Sequence, residues 1–227
     1  MQKDISIEIT NLIKIIAKLR APDGCPWDRV QTPETLRPCI LEEAYELLEA
    51  IDNNDSDEIC AELGDLLFQV VFIAQIFSEQ EKFNLAKVAH SISEKLRRRH
   101  PHVFADADGK KHSQHWEEIK RLERQDKGKS NKLENCIPTN LPALKKATKV
   151  AKRIKSADLT VYPAQIEEHS STISKLIERL PAEQKHLESA IADLLFSTVQ
   201  LSHSLHLDAE DLLRQKTIQV MQKIDQE

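Results

Sequence analysis

The chain has 227 residues, 40% of them hydrophobic, which is enough for one large or two small domains with a sizeable core. Four glycines and 4% aromatics disfavour a β-rich fold, and a formal net charge of −5 gives no ground for nucleic-acid or membrane binding. Cys25, Cys39, Cys60 and Cys136 form no CxxC pair and the first residues, MQKDISIEIT, hold no apolar secretion segment, so reduced thiols in a cytoplasmic protein are expected.

Helical periodicity dominates. Ile5–Leu19 carries apolar residues at 5, 9, 12, 13, 16 and 19, the spacing of an amphipathic helix. APDGCPWDRVQTP, residues 21–33, breaks it with three prolines and a glycine and reads as an ordered loop. Thr32 suits an N-cap and Pro33 the first helical position, which predicts a second helix reaching about Ile51. DNNDSD is a turn, and a third helix is expected over Asp57–Ser78. Its run Leu66–Phe77, interrupted by Gln69, is apolar nearly all round but too short to span a bilayer. A fourth helix fits Leu85–Arg99, stopped ahead of Pro101, and a polar fifth fits His115–Gln125.

DKGKSNKLENCIPTNLP reads as a linker, after which Pro142–Lys155, Pro163–Leu180, Ala182–Leu205 and Ala209–Ile224 repeat the helical rhythm. No segment reads as a strand. DLLF at Asp65–Phe68 recurs at Asp193–Phe196, an offset of 128 that Val71 and Val199 keep. With the matching rhythm, this suggests duplication. The expected architecture is all-α, with a helical-bundle domain over 1–127, a linker over 128–140 and a second, related domain over 141–227. A small bundle would struggle to cover Leu66–Phe77, so a homodimer or higher homo-oligomer is expected.

Between Glu42 and Asp65 there are ten Asp or Glu and no Lys or Arg. Glu43 and Glu46 share a helix face, as do Glu42 and Glu46, and Glu62 and Asp65 repeat the three-residue spacing on the next helix. A short turn makes the two helices antiparallel neighbours, so the pairs can face each other across one groove. Two such charges at 4 Å repel by about 1 kcal/mol in water and about 4 kcal/mol at an effective dielectric of 20. A divalent cation would neutralise them, and hard carboxylate oxygens suit Mg²⁺ or Mn²⁺. A solvated acidic face is the bland alternative. Against it, Glu62 and Asp65 lie at the mouth of the most apolar run.

EKLRRRHPH, residues 94–102, is the only dense basic cluster of the first half. Lys95 and Arg99 share a face there; they suit the helix dipole, or they hold phosphate opposite the acidic set. GCPWD, residues 24–28, puts Trp27 in a Pro/Gly loop, where it is either a packing anchor or a surface on which a base stacks.

Together, Glu42-Glu43-x-x-Glu46, Glu62-x-x-Asp65, GCPWD, ELGDLLFQVVF and KLRRRHPHVFAD resemble the MazG family of nucleoside triphosphate pyrophosphohydrolases. The resemblance covers about residues 8–125, and the remainder is similar, more weakly, to the second domain of two-domain members. It implies an all-α fold that usually dimerises, and hydrolysis of nucleoside triphosphates to monophosphate and pyrophosphate with Mg²⁺, or Mn²⁺ as a substitute. By position, Glu43, Glu46, Glu62 and Asp65 would be metal ligands, Glu42 a carboxylate outside that set that orients water, and Lys95 and Arg99 phosphate ligands. A water then attacks the α-phosphorus and pyrophosphate leaves. The second copy departs from the pattern: Asp193 survives, but Ala190 stands three before it, and Glu167-Glu168 is followed by Ser170, Ser171 and Thr172. That copy is expected to bind no catalytic metal.

Three other readings compete. A di-iron bundle needs ExxH on two helices, whereas the chain has one, Glu183–His186, in a polar stretch. A zinc site needs clustered Cys and His, whereas His112-x-x-His115 and His100-x-His102 lie in polar segments. A catalytically weak nucleotide-binding or partner-binding helical protein is favoured by the broken second set and opposed by the complete first one.

Overall fold

In the computed structural model the described residues are 4–104, 136–156, 166–178 and 187–224, with a few positions between 119 and 128. The helix expected at His115–Gln125, the His112 and His115 pair, and Glu183–His186 lie largely outside them. The described residues form α-helices and no strand, and the chain divides into two compact units, Met1–Asp108 and Gly109–Glu227.

The first unit holds α1 (Ile5–Arg20), α2 (Pro26–Val30), α3 (Arg37–Asn53), α4 (Ser56–Glu79), α5 (Leu85–Arg99) and α6 (Pro101–Phe104). Side-chain caps set several starts. Asp4 accepts from Ser6, Asp55 from Asp57 and Glu58, and Asn84 from Lys87. Asn54, in the left-handed region at φ 54°, ends α3 and turns the chain into α4.

Two boundaries differ from the sequence reading. Thr32 does cap a turn: its Oγ1 accepts from the Thr35 backbone N–H at 3.3 Å while Thr35 Oγ1 accepts from the Thr32 N–H at 2.9 Å. Regular helix nevertheless begins only at Arg37, because Pro38 has no N–H to continue the ladder and its ring clashes with the carbonyl four residues back. The expected loop also contains α2, which Pro26 starts from the first helical position.

Within this unit α4 is the central helix, flanked by α1, α3 and α5. Ile16, Leu36, Val71, Phe72 and Ile76 form the core, with Leu12, Ile13, Phe68, Ile73 and Leu85 packed against it. The Phe68 and Phe72 rings meet edge to face at 5.4 Å. Arg20 ties this core to the loop before α3. Its guanidinium lies over the Phe72 ring, makes a bidentate pair with Glu79 at 2.8–3.1 Å, and donates to the backbone carbonyls of Asp28 at 2.7 Å and Gln31 at 3.3 Å. Gly24 completes the turn after α1, where a Cβ would sit 2.2 Å from the Leu19 carbonyl oxygen, so no larger residue fits.

The second unit holds α7 (Ala143–Ser156), α8 (Ile166–Glu178), α9 (Leu187–Ser204) and α10 (Ala209–Ile224). Helix α9 packs against the other three, as α4 does in the first unit. Asp208 caps α10 through the Glu210 and Asp211 N–H groups and pairs with Lys145 on α7. The burial of Ala61–Ile73 on α4 repeats position by position in Ser189–Leu201 on α9, at the same offset as the shared DLLF.

Helix α4 is not covered on every side. Leu63, Leu67 and Val70 are exposed, as are Leu41, Tyr45 and Leu48 on α3. By length and composition alone, the whole of α4 is one helix apolar enough to cross a membrane. It carries Glu62 and Asp65, and one side of it forms the core just described.

Candidate metal centre

The acidic residues reach their places through ordinary helix geometry. Helices α3 and α4 pack against each other, joined by the tight turn at Asn54 and Asp55. Glu43 lies on the side of α3 that meets α4, the side that ends in buried Ala50. Glu62 and Asp65, one turn apart, project from α4 on the facing side. Glu43, Glu62 and Asp65 each bring one carboxylate oxygen within 4.8 Å of the others. Glu43 and Glu62 are partly buried and Asp65 is exposed, so the cluster opens to solvent at one end.

The charges in this groove are unbalanced. Burial raises the Glu43 carboxyl above the ordinary carboxylate range, and Asp65, Glu46 and Glu62 raise it further, while a hydrogen bond from Gln69 pulls it down. Burial likewise raises Glu62, followed by repulsion from Glu46, Asp65 and Glu58. Oε2 of Glu62 is shielded from solvent and has no hydrogen-bond partner. A buried carboxylate oxygen with no partner, in a set of hard oxygen donors, fits a divalent cation.

A pH dependence follows. The folded-state pKa values of Glu43 and Glu62 lie above their unfolded values. Their favourable contribution is therefore complete below the ordinary range and is lost as pH rises through the raised values. Bound cation reverses this by requiring the ionised forms. The shift in thermal midpoint produced by Mg²⁺ should be larger at pH 7 than at about pH 5, measured by calorimetry at both. Equal shifts would mean that these carboxylates do not hold the ion.

The other residues singled out by sequence stand outside the cluster. Glu42 and Glu46 are exposed on α3, although the charge of Glu46 acts on both Glu43 and Glu62. Lys95 and Arg99 are partly buried on α5, which packs on α4. Trp27, 56% exposed on α2, is not a core anchor of this unit. Its backbone is held instead, by Gln31 Nε2 donating to the Trp27 carbonyl and by Arg20 on the next carbonyl. Sequence reasoning missed Gln69 and Arg20. Gln69 read only as an interruption of an apolar run, yet it is 5% exposed and its side-chain oxygen is buried without a hydrogen-bond partner.

In the second unit the position of Glu62 is taken by Ala190 and that of Gln69 by Ser197, while Asp193 matches Asp65 in exposure as well as identity. The buried side of α8 presents His169.

Residues 31–104, which span α3 to α6 and so the whole cluster, match the MazG nucleotide pyrophosphohydrolase domain. The chain is 41% identical over 216 residues to a nucleoside triphosphate pyrophosphohydrolase of Escherichia coli strain K12, covering 91% of this chain and 82% of that relative. It is also 41% identical over 217 residues to the nucleoside triphosphate pyrophosphohydrolase/pyrophosphatase MazG of Thermotoga maritima, covering 95% and 83%. A nucleoside triphosphate pyrophosphohydrolase of Mycolicibacterium smegmatis is 35% identical over 162 residues, covering 70% and 48%. With the facing carboxylates on paired helices and similarity running along most of both chains, this protein belongs to the MazG family of nucleoside triphosphate pyrophosphohydrolases.

Proposed function

We propose that the chain hydrolyses nucleoside triphosphates to monophosphate and pyrophosphate at a Mg²⁺ site formed by Glu43, Glu62 and Asp65, with Glu46 as fourth ligand and Mn²⁺ as an acceptable substitute. The convergence of three carboxylate oxygens within 4.8 Å, one of them buried and unpartnered, carries this reading. Bound there, the cation supplies charge neutralisation for the triphosphate and a lowered pKa for water beside it.

The chain's own groups do the rest. Glu43, Glu62 and Asp65 would hold the ion from two packed helices, with Glu46 as the fourth ligand. Glu42 orients the attacking water and accepts its proton. Lys95 and Arg99 hold the phosphates, and Trp27 stacks on the base. A panel of nucleoside triphosphates with Mg²⁺, scored for pyrophosphate against orthophosphate, tests the reaction. Pyrophosphate with stoichiometric monophosphate is expected, and orthophosphate release would overturn it.

If Lys95 and Arg99 grip the phosphates equally in ground and transition states, Lys95→Ala or Arg99→Ala should raise KM about tenfold and change kcat little. Steady-state kinetics on the best substrate of the panel checks this, and a loss confined to kcat would place them in the chemistry instead.

We read residues 1–127 as the catalytic domain, 128–140 as a linker and 141–227 as a copy that has lost its metal site, supported by the repeated burial pattern and by Ala190. A homodimer or higher oligomer belongs to the same reading. Leu63, Leu67 and Val70 make an exposed stripe on α4 beside Leu41, Tyr45 and Leu48 on α3, a surface suited to self-complementary pairing. Light scattering at micromolar concentration should give at least twice the chain mass, and Leu67→Glu should reduce it; a wild-type monomer would end this reading. A cytoplasmic location fits the reduced thiols of Cys25, Cys39 and Cys60.

A further inference from the structure

We propose that Arg20 is a positioning residue for the base of the substrate: its guanidinium fastens α2 and so fixes the ring of Trp27, on which the base stacks. The inference rests on the role just given to Trp27 and adds a residue that touches no substrate. Arg20 ends α1, and its side chain is 8% exposed. Nη1 donates to the carbonyls of Asp28 at 2.7 Å and Gln31 at 3.3 Å, one inside α2 and one just past its end. Nε and Nη2 grip the Glu79 carboxylate, which also accepts from Gln75 at 3.1 Å. The guanidinium carbon lies 5.2 Å from the centre of the Phe72 ring. One buried side chain therefore joins α2 to α4. The five residues of α2 make too little helix to hold their shape unaided, so these bonds set where Trp27 stands.

Folding alone gives no reason to hold α2 this way. Its buried residue is Asp28, while Trp27 and Val30, three apart and so on one face, are 56% and 69% exposed. A tryptophan serving the core would turn inward. This one is held outward by bonds to the backbone around it. Gln31 Nε2 donates to the Trp27 carbonyl at 2.9 Å, and the Gly24 and Cys25 N–H groups donate to the Ala21 and Leu19 carbonyls, both at 2.7 Å. An exposed indole face is a stacking surface for any base, and fixing it beforehand removes an ordering cost from binding. Its place suits a nucleotide whose phosphates lie at the acidic cluster. Phe72, under the Arg20 guanidinium, lies two turns beyond Asp65 on the same side of α4, about 10 Å along the helix. The phosphates and the base of one nucleotide can then be held at two levels of a single helix.

The test uses the full chain and Arg20→Met, which keeps an apolar stem over Phe72 and removes every donor. KM for the best nucleoside triphosphate of the panel should rise about tenfold, with kcat changed by less than about twofold. Inorganic tripolyphosphate has no base, so its affinity with Mg²⁺, titrated by calorimetry, should equal that of wild type. Trp27→Ala should show the same two results, and adding Arg20→Met to it should raise KM no further, because the ring that Arg20 positions is already gone. If Arg20→Met does not fold, Arg20→Lys carries the same expectation: it keeps the charge beside Glu79 but lacks the fork that reaches both carbonyls. A wild-type KM in the Arg20 variant beside a raised one in Trp27→Ala would overturn the positioning role and leave the stacking role standing. A wild-type KM in Trp27→Ala would remove the stacking role and the role of Arg20 with it. Tripolyphosphate binding weakened as much as nucleotide binding would make Arg20 a support of the whole unit and overturn the proposal.

Discussion

Glu43→Gln and Asp65→Asn should each reduce pyrophosphate release about a thousandfold while the protein stays folded. Each change keeps the shape of the side chain and removes one charge from the set whose oxygens lie within 4.8 Å of one another. A divalent cation contributes several kcal/mol to phosphoryl transition states, and about 4 kcal/mol corresponds to roughly a thousandfold in rate. The effect on the cation-free fold should have the opposite sign. Glu43 is held above its ordinary pKa by burial and by three neighbouring carboxylates, so removing its charge relieves a cost at neutral pH. The variants should melt at or slightly above the wild-type temperature without Mg²⁺ and gain much less from its addition. Asp193→Asn is the matched control. It occupies the equivalent place on α9, but Ala190 stands where α4 has Glu62, so no change in rate is expected. Single-turnover rates and melting curves with and without Mg²⁺ separate these outcomes. Wild-type turnover in Glu43→Gln and Asp65→Asn would reduce the cluster to an acidic surface.

Phe72→Ala should be the most destabilising single truncation in the first unit, by about 3–5 kcal/mol in urea unfolding. Phe72 is fully buried on the central helix, packs edge to face on Phe68, and lies under the Arg20 guanidinium. Its removal leaves a cavity and takes away the surface on which Arg20 rests. That arginine also holds Glu79 and the carbonyls at the end of α2, so the loop bearing Trp27 should loosen too. Leu67→Ala, on the outer side of the same helix, should cost less in a dissociated chain, because that side chain is 38% exposed and lies outside the core around Phe72. Similar losses for the two variants would mean that the core is not centred on Phe72.

The helices and the acidic set were legible in the chain because both depend on local spacing. Ile5–Arg20, Leu85–Arg99 and Ala209–Ile224 follow from apolar periodicity with caps or prolines at their ends, and those signals act within a few residues. Glu43 and the Glu62/Asp65 pair follow from helical spacing plus a turn too short for any arrangement but antiparallel packing. The late start of α3 was also encoded locally, in Pro38, but Thr32 and Pro33 supply a complete start signal of their own five residues earlier. Both signals are real: the first makes a capped turn and the second decides where the regular ladder begins.

What tertiary structure alone decided concerns groups that act across elements. Which of the carboxylates converge depends on how α3 rotates against α4: Glu43 turns inward, while Glu42 and Glu46 stay exposed. Adjacent residues on one helix differ by about 100° in direction, and spacing alone leaves that phase open. Arg20 has no sequence neighbour that explains it; its partners are Glu79 and the carbonyls of Asp28 and Gln31. Gln69 interrupts the apolar run of α4, and only the packing of that helix shows that its polar side chain is buried. The residues that make helices were therefore determined by the sequence itself through contacts a turn apart. The residues that make a site needed the packing of one helix on another, which sets the distances between charges.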